Sequence, residues 1–282
     1  MPGVRIVPVV WTALGVRFVV LGSRVVLGVR VVLGVRIVPA CVLRGGTVVL
    51  WAVRWLTGAW KGGRMTTLPP PALTNLREVG GPGVQDGRRR TVYRANTERV
   101  SADAYPTGLA AVVDLRRDDE VARVPHPLAA TDGYRLVPLF DPSSVESGAQ
   151  AVQLEEQYVD WLERHRTGIA AAFRAIARAD GDVLGCCSAG KDRTGVVCGL
   201  LARRWGASIE AVGDDYAASA SGLAARFAAE RAVSTDPEAT AVAQRCVPET
   251  MTTVVRYVEE RWGSVAAYLR WAGLTEAEVA SL

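Results

Sequence analysis

Between Gly181 and Leu201 the chain reads GDVLGCCSAGKDRTGVVCGLL, with a thiol at Cys187 and a guanidinium at Arg193 separated by five residues. Five residues following a short apolar strand and opening a helix can curl so that their backbone N–H groups converge on one phosphate, helped by the helix N-terminus. The donors of such a cradle are the segment Ser188, Ala189, Gly190, Lys191, Asp192, Arg193 and Thr194. Arg193 can grip two phosphoryl oxygens at once, which lysine cannot copy. The same donors favour the anion of Cys187, so the pattern predicts a nucleophilic sulfur beneath a bound phosphate. Cys186 does not fit, because counting from it puts Asp192 where the guanidinium is needed. A nucleotide loop fits no better. Gly185, Gly190 and Lys191 match the front of G-x-x-x-x-G-K-[ST], but Asp192 stands where a hydroxyl should hold magnesium.

These residues need a scaffold, and the flanking pattern supplies one. RRRTVYRAN, GLAAVVDLRR, YRLVPLF and DVLGC read as strands, the second as a buried parallel one. Tyr158, Trp161, Leu162, Ile169, Phe173 and Ile176 recur at helical spacing and predict one long amphipathic helix from Tyr158 to Ala177. A helix opens near Arg193, and the remainder is helical: Ile209, Val212 and Tyr216 at helical intervals, a start at Thr235-Asp236-Pro237, and MTTVVRYVEERWG ending at Gly263. Thr275 and Glu278 form a capping box for a last helix. The expected fold is α/β, a central mostly parallel sheet flanked by helices with a helical cap.

Residues 1–64 stand apart. They hold nine of the 33 basic residues and no acid, which leaves 24 bases against 29 acids, a net −5, in the body of a chain whose total is +4. The excess positive charge is thus no nucleic-acid footprint. The segment contains the near-repeat VVLGSR VVLGVR VVLGVR from Val19 to Arg36, and arginine interrupts its apolar runs too often for a membrane span. We expect two parts, a low-complexity basic and apolar extension over 1–64 and a catalytic domain over 65–282. A mis-assigned start upstream of Met65 is the favoured reading of the extension, ahead of a membrane-surface arm or a β-rich appendage. Five cysteines without framework spacing point to a reducing, cytoplasmic setting, with secretion without a recognisable signal left open.

CSAGKDRTG resembles the signature of the Cys-dependent protein-tyrosine phosphatases, and more closely that of the bacterial tyrosine/serine and phosphoinositide phosphatase group. NLREVGG, Asn75 to Gly81, is similar to that group's amino-terminal Asn-x-Arg-Asp-Leu-Gly-Gly element, VVDLRRDDEV to its strand ending in Asp-Leu-Arg, and the tail from Glu260 to its closing helices. The resemblance covers about residues 70–282. It implies a protein-tyrosine-phosphatase-like fold and in-line attack by Cys187 to give a phosphocysteine, with Arg193 and the loop N–H groups stabilising the transition state. No metal or cofactor is implied. The implied partners are proteins carrying phosphotyrosine, phosphoserine or phosphothreonine, or a phosphoinositide.

The general acid implied is Asp192, with orientation of Arg193 or Lys191 as the alternative role of its carboxylate and with Asp114 and Asp141 as rivals for the acid. Lys191 is expected as a second cation at the rim or as a solvated lysine, and Thr194 as an aid to thiolate departure or an ordinary first-turn residue. Two positions depart from the pattern: Cys186 replaces the histidine before the nucleophile, and Glu78 replaces an aspartate. We expect Cys186 to be a small buried residue, with a redox link to Cys187 as the alternative. His126 and His165 are expected on the surface or on a helix face. Three rivals to a phosphatase remain: a phosphate-binding pseudophosphatase, a thiol-based sulfurtransferase or arsenate reductase, and a membrane-tethering protein acting through residues 1–64.

Overall fold

The computed structural model describes residues 17–21, 24–28, 73–80, 89–140 and 153–282. It divides into two compact units, Met1–Gly63 and Arg64–Leu282. In the first, β1 (Arg17–Leu21) and β2 (Arg24–Gly28) pair antiparallel with Val20 opposite Val25. β2 and most of β1 lie in the valine-rich repeat, whose β-branched residues favour extended backbone.

The second unit carries a five-stranded sheet. Its strands are β3 (Arg77–Glu78), β4 (Val92–Asn96), β5 (Ala111–Asp114), β6 (Tyr134–Leu136) and β7 (Val183–Cys187), in the order β3-β4-β7-β5-β6. All neighbours run parallel except the edge pair β3 and β4. Every residue of β7 is buried, as expected for the middle strand of a parallel sheet covered on both faces. The register puts Asn96 opposite Cys187 and Asp114 opposite Cys186, so three strands end at one edge, where ligands of open α/β sheets bind.

The helices follow in chain order: α1 (Asp118–Arg123), α2 (Leu154–Arg164), α3 (Arg166–Ala177), α4 (Asp192–Arg204), α5 (Ile209–Ala217), α6 (Ser219–Gly222), α7 (Ala224–Val233), α8 (Pro237–Ala243), α9 (Pro248–Trp262), α10 (Val265–Ala272) and α11 (Glu276–Ala280). The fold is a mixed, mostly parallel sheet flanked by helices, as the pattern predicted. The predicted ends hold too. Asp236 caps α8 with Pro237 in its first turn, Gly263 closes α9 in the left-handed region at φ 81°, and Thr275 with Glu278 forms the box that starts α11.

Helix α4 carries the loop and is buried from Thr194 to Ala202. It packs so closely that a Cβ at Gly195 would stand 3.0 Å from the Tyr216 ring, and one at Gly199 the same distance from Met251. Ile169 and Phe173 of α3, Val197 and Leu201 of α4, and Met251 and Val255 of α9 share one core on that side of the sheet.

Two expectations need correcting. The long helix from Tyr158 is two helices, α2 and α3, which break at His165 (φ −106°, ψ 24°). Gly168, just past the break, lies so near Pro138 and Leu139 that a Cβ would sit 2.2 Å from the Leu139 carbonyl oxygen. The apolar spacing runs through the break, so periodicity alone could not register it. The two histidines are also buried. His126 lies between the rings of Tyr105 and Tyr134, with centroids at 5.0 and 5.6 Å, and its Nδ1 accepts the Leu128 N–H at 3.0 Å. Burial lowers its pKa to about 4, so it is neutral at neutral pH. His165 stacks on Phe140 at 4.9 Å.

Candidate active site

The loop from Cys187 to Lys191 sits between the end of β7 and the start of α4, and every carbonyl along it is held from outside. Cys187 and Ser188 carbonyls both accept from the Thr97 N–H at 3.1 Å. The Ser188 carbonyl also takes Nη1 of Arg226 on α7 at 2.9 Å, while Nη2 of the same arginine reaches the Ser188 hydroxyl at 3.0 Å. Asn75 Nδ2 donates to Ala189 O at 3.0 Å and to Gly190 O at 3.1 Å. Arg94 Nη2 donates to Gly190 O at 2.8 Å and to Lys191 O at 3.4 Å.

In a planar trans peptide the next N–H points opposite to the carbonyl. Tethering these carbonyls outward therefore turns the amides of residues 188–192 toward the inside of the curl. Gly190 makes the last tight step, at φ 66°, where a Cβ would meet Ala95 O at 2.3 Å.

Beneath the loop lies a charged lattice. Arg94, on β4, is fully buried and pairs with Asp215 of α5. Arg77 on β3 meets the same carboxylate through Nε at 2.7 Å and holds Asn75 Oδ1 at 2.5 Å and Ser219 Oγ at 3.1 Å. Burial works against the Asp215 carboxylate, but Arg94 and then Arg77 outweigh it and hold its pKa below the ordinary value. One carboxylate thus pairs with two arginines, and through Arg94 directly and through Arg77 and Asn75 it sets the loop's shape. Glu78, beside Arg77 in the sequence, lies exposed on the edge strand.

At the mouth, Arg193 is 12% exposed and bidentate to Glu120 of α1, with Nη1–Oε2 at 2.6 Å and Nη2–Oε1 at 2.8 Å. Its guanidinium stands 5.5 Å from the Phe140 ring centroid. Burial disfavours its charge, yet the bond to Glu120 and the neighbouring anions raise its pKa above the usual arginine value. Asp192 opens α4 with a carboxylate 33% exposed, bonded to the Tyr158 hydroxyl and to Lys191 Nζ at 2.8 Å. Thr194 is fully buried, and its hydroxyl has no hydrogen-bond partner among the described residues.

The structure brings Cys187 and Ser188 through Thr194 together around one curl, with differences of detail. Lys191 is no rim cation: its side chain is 2% exposed and its Nζ donates to Ala243 O at 2.6 Å as well as to Asp192. Asp114 is fully buried and already takes Arg116 Nε at 2.9 Å, Nη2 at 2.7 Å and the Tyr134 hydroxyl at 2.9 Å. Those bonds leave it no freedom to act as the acid. Asp141 lies outside the described residues. Among the described residues no group of three or more His, Cys, Asp or Glu side chains could hold a metal ion.

The two adjacent thiols belong to different cores. Successive strand residues face opposite sides of a sheet. Cys187 accordingly packs with the helical core, and Cys186 with Ala95, Tyr105, Val112 and Leu184 on the other face. Both are free thiols, and a bond between them would require β7 to lose its pleat. Burial first, then the Asp114 charge, pushes the Cys186 pKa well up, so it is an inert thiol.

Sequence reasoning missed Glu120, Arg94, Asp215, Tyr158 and Arg226 as parts of the site. Arginine in the middle of the apolar strand VYRAN was a usable signal, because a buried arginine requires a carboxylate elsewhere.

Comparison with known proteins gives the family. The model of the tyrosine phosphatase family matches residues 68–282. A tyrosine-protein phosphatase of Nostoc commune is 30% identical over 164 residues, covering 56% of this chain and 51% of the relative, so the chain spans about half of that protein's length. The triple specificity protein phosphatase PtpB of Mycobacterium tuberculosis is 26% identical over 275 residues, covering 81% of this chain and 96% of the relative. With its signature loop folded into a single curl and the family match extending over most of its length, the chain belongs to the tyrosine phosphatase family.

Proposed function

We propose that the protein hydrolyses phosphomonoesters through a phosphocysteine, with phosphotyrosine proteins as the first substrate class. The observation that carries this reading is the outward tethering of the loop carbonyls, which leaves a ring of amides to meet phosphoryl oxygens above Cys187. Cys187 attacks phosphorus in line, and Arg193 with the loop amides takes up charge on the equatorial oxygens. Asp192 protonates the leaving oxygen and later deprotonates the attacking water. The Thr194 hydroxyl, without a partner among the described residues, supports a part in thiolate departure, since an unsatisfied buried hydroxyl costs about 1–3 kcal/mol and is kept where it serves.

The mycobacterial relative's description as triple specificity supports testing phosphoserine, phosphothreonine and phosphoinositides as well. Lys191 gives no support for a doubly charged substrate, because it is buried and already paired. We keep the division into an extension over 1–64 and a catalytic domain over 65–282 as part of the proposal.

The test is hydrolysis of an aryl phosphate by the full chain and by Cys187→Ser, with a chelator present. The wild type should turn over undiminished and the variant should lose on the order of 10⁴-fold or more. Phosphate binding without turnover in the wild type would favour the pseudophosphatase, and full activity in the variant would remove the reading altogether.

A further inference from the structure

The function assigns Asp192 a proton to give and to take, yet one of its carboxylate oxygens is already occupied. Its Oδ1 accepts both the Tyr158 hydroxyl and Lys191 Nζ, the latter at 2.8 Å. Lys191 is fixed in turn by Ala243 O. Tyr158, on α2, has its hydroxyl 3.0 Å from that of Tyr216 on α5, and Tyr216 reaches the Arg245 carbonyl at 3.4 Å. Both tyrosines are fully buried, with rings edge-to-face and 6.2 Å apart. Phenylalanine would fill the same core without two hydroxyls to desolvate, so the hydroxyls need another reason.

We propose that Tyr158, steadied by Tyr216, is a positioning residue for proton transfer by Asp192: it locks Oδ1 so that Oδ2 is the oxygen that carries the proton. The inference rests on the phosphatase reading above. As the sulfur–phosphorus bond forms and the bond from phosphorus to the leaving oxygen breaks, the Oδ2 proton passes to that oxygen. When water then attacks phosphorus and the sulfur departs, Oδ2 takes the water's proton, and the cycle balances.

Tyr158 is not itself the acid. Burial first, and then the Asp192 charge, raises its pKa well above the tyrosine value, so it stays a donor. The charged and titratable groups that act on Asp192 or share its surroundings are Lys191, Arg193, Tyr158, Tyr216 and Cys246. Of these, only Tyr158 and Lys191 bond its carboxylate. A carboxylate bonded through one oxygen keeps a fixed torsion, which a proton donor in the first turn of a helix needs in order to meet the departing atom.

The test is a series of aryl phosphates of rising leaving-group pKa, with kcat/KM as the readout because it reports the first phosphoryl transfer. Tyr158→Phe should cost phenyl phosphate about tenfold or more and a dinitrophenyl ester less than about threefold, since a good leaving group needs no acid. The dependence on leaving-group pKa becomes steeper. Tyr216→Phe keeps the bond to Asp192 and should steepen the slope less, and it decides the matter if Tyr158→Phe does not fold. In an Asp192→Asn background, Tyr158→Phe should add nothing to the slope. A uniform loss across the series, or no loss, in the folded variants overturns the inference. That result is distinct from absence of Cys187-dependent turnover in the wild type, which would overturn the phosphatase reading instead.

Discussion

The underside of the loop and its mouth are both held by arginine–carboxylate pairs, yet they are built for different ends. Below, the fully buried Arg94 and the half-buried Arg77 share one carboxylate, Asp215, and Arg94 clamps loop carbonyls that never meet a substrate. Above, Arg193 has Glu120 alone as its carboxylate partner, and in the proposed reaction the two guanidinium nitrogens that Glu120 engages turn to the phosphoryl oxygens. The fully buried Arg94, deprived of its carboxylate, would cost several kcal/mol, whereas a bound phosphoryl dianion gives Arg193 a new anionic partner in place of Glu120. The lower trio is therefore scaffold, and the partner of Arg193 is interchangeable.

Three substitutions would break or sharpen this contrast. The largest effect should come from Arg193→Lys, which keeps the charge and a bond to Glu120 but loses the fork: kcat/KM for an aryl phosphate should fall on the order of 10³-fold, with the melting temperature nearly unchanged. A large stability loss here would erase the distinction between mouth and underside.

Next is Asp215→Asn, which strands two arginines and should cost about 3–5 kcal/mol in denaturant melts. The sign with pH follows from the lowered pKa of Asp215. Its contribution is present above the unfolded value of 3.8 and lost as pH falls through the folded one, so the gap between wild type and variant should narrow in acid. An equal stability of wild type and variant at neutral pH would mean the carboxylate is not the keystone.

The smallest effect belongs to Arg226→Ala. This side chain is 27% exposed and shares its charge with Glu98 and Glu230, so about 1 kcal/mol or less should be lost, with a rise in KM of only a few fold. A collapse of kcat would move Arg226 into the scaffold.

The catalytic spacing was legible because it is local. Cys187, Gly190 and Arg193 lie within one loop, and strand and helix patterns on either side fixed how that loop is presented. What the sequence hid was partnership across distance. Glu120 is 73 residues from Arg193, and Asp215 is 121 from Arg94, and no periodicity links them. Tyr158 was visible, but at helical spacing among Trp161 and Leu162 a tyrosine reads as core, and its hydroxyl's destination is a matter of tertiary structure. Lys191 misled for a related reason: a lysine in a loop signals solvent, and the Ala243 carbonyl that takes its ammonium is 52 residues away. The break at His165 was hidden because the apolar stripe passes through it unchanged.

The back-to-back placement of Cys186 and Cys187 carries a further meaning. Neighbours along the chain are strangers in space here, so an oxidised sulfur at 187 gains no shelter from the thiol beside it. Any rescue from irreversible oxidation past the sulfenic acid by the residue at 186 is closed off by the pleat of a single strand.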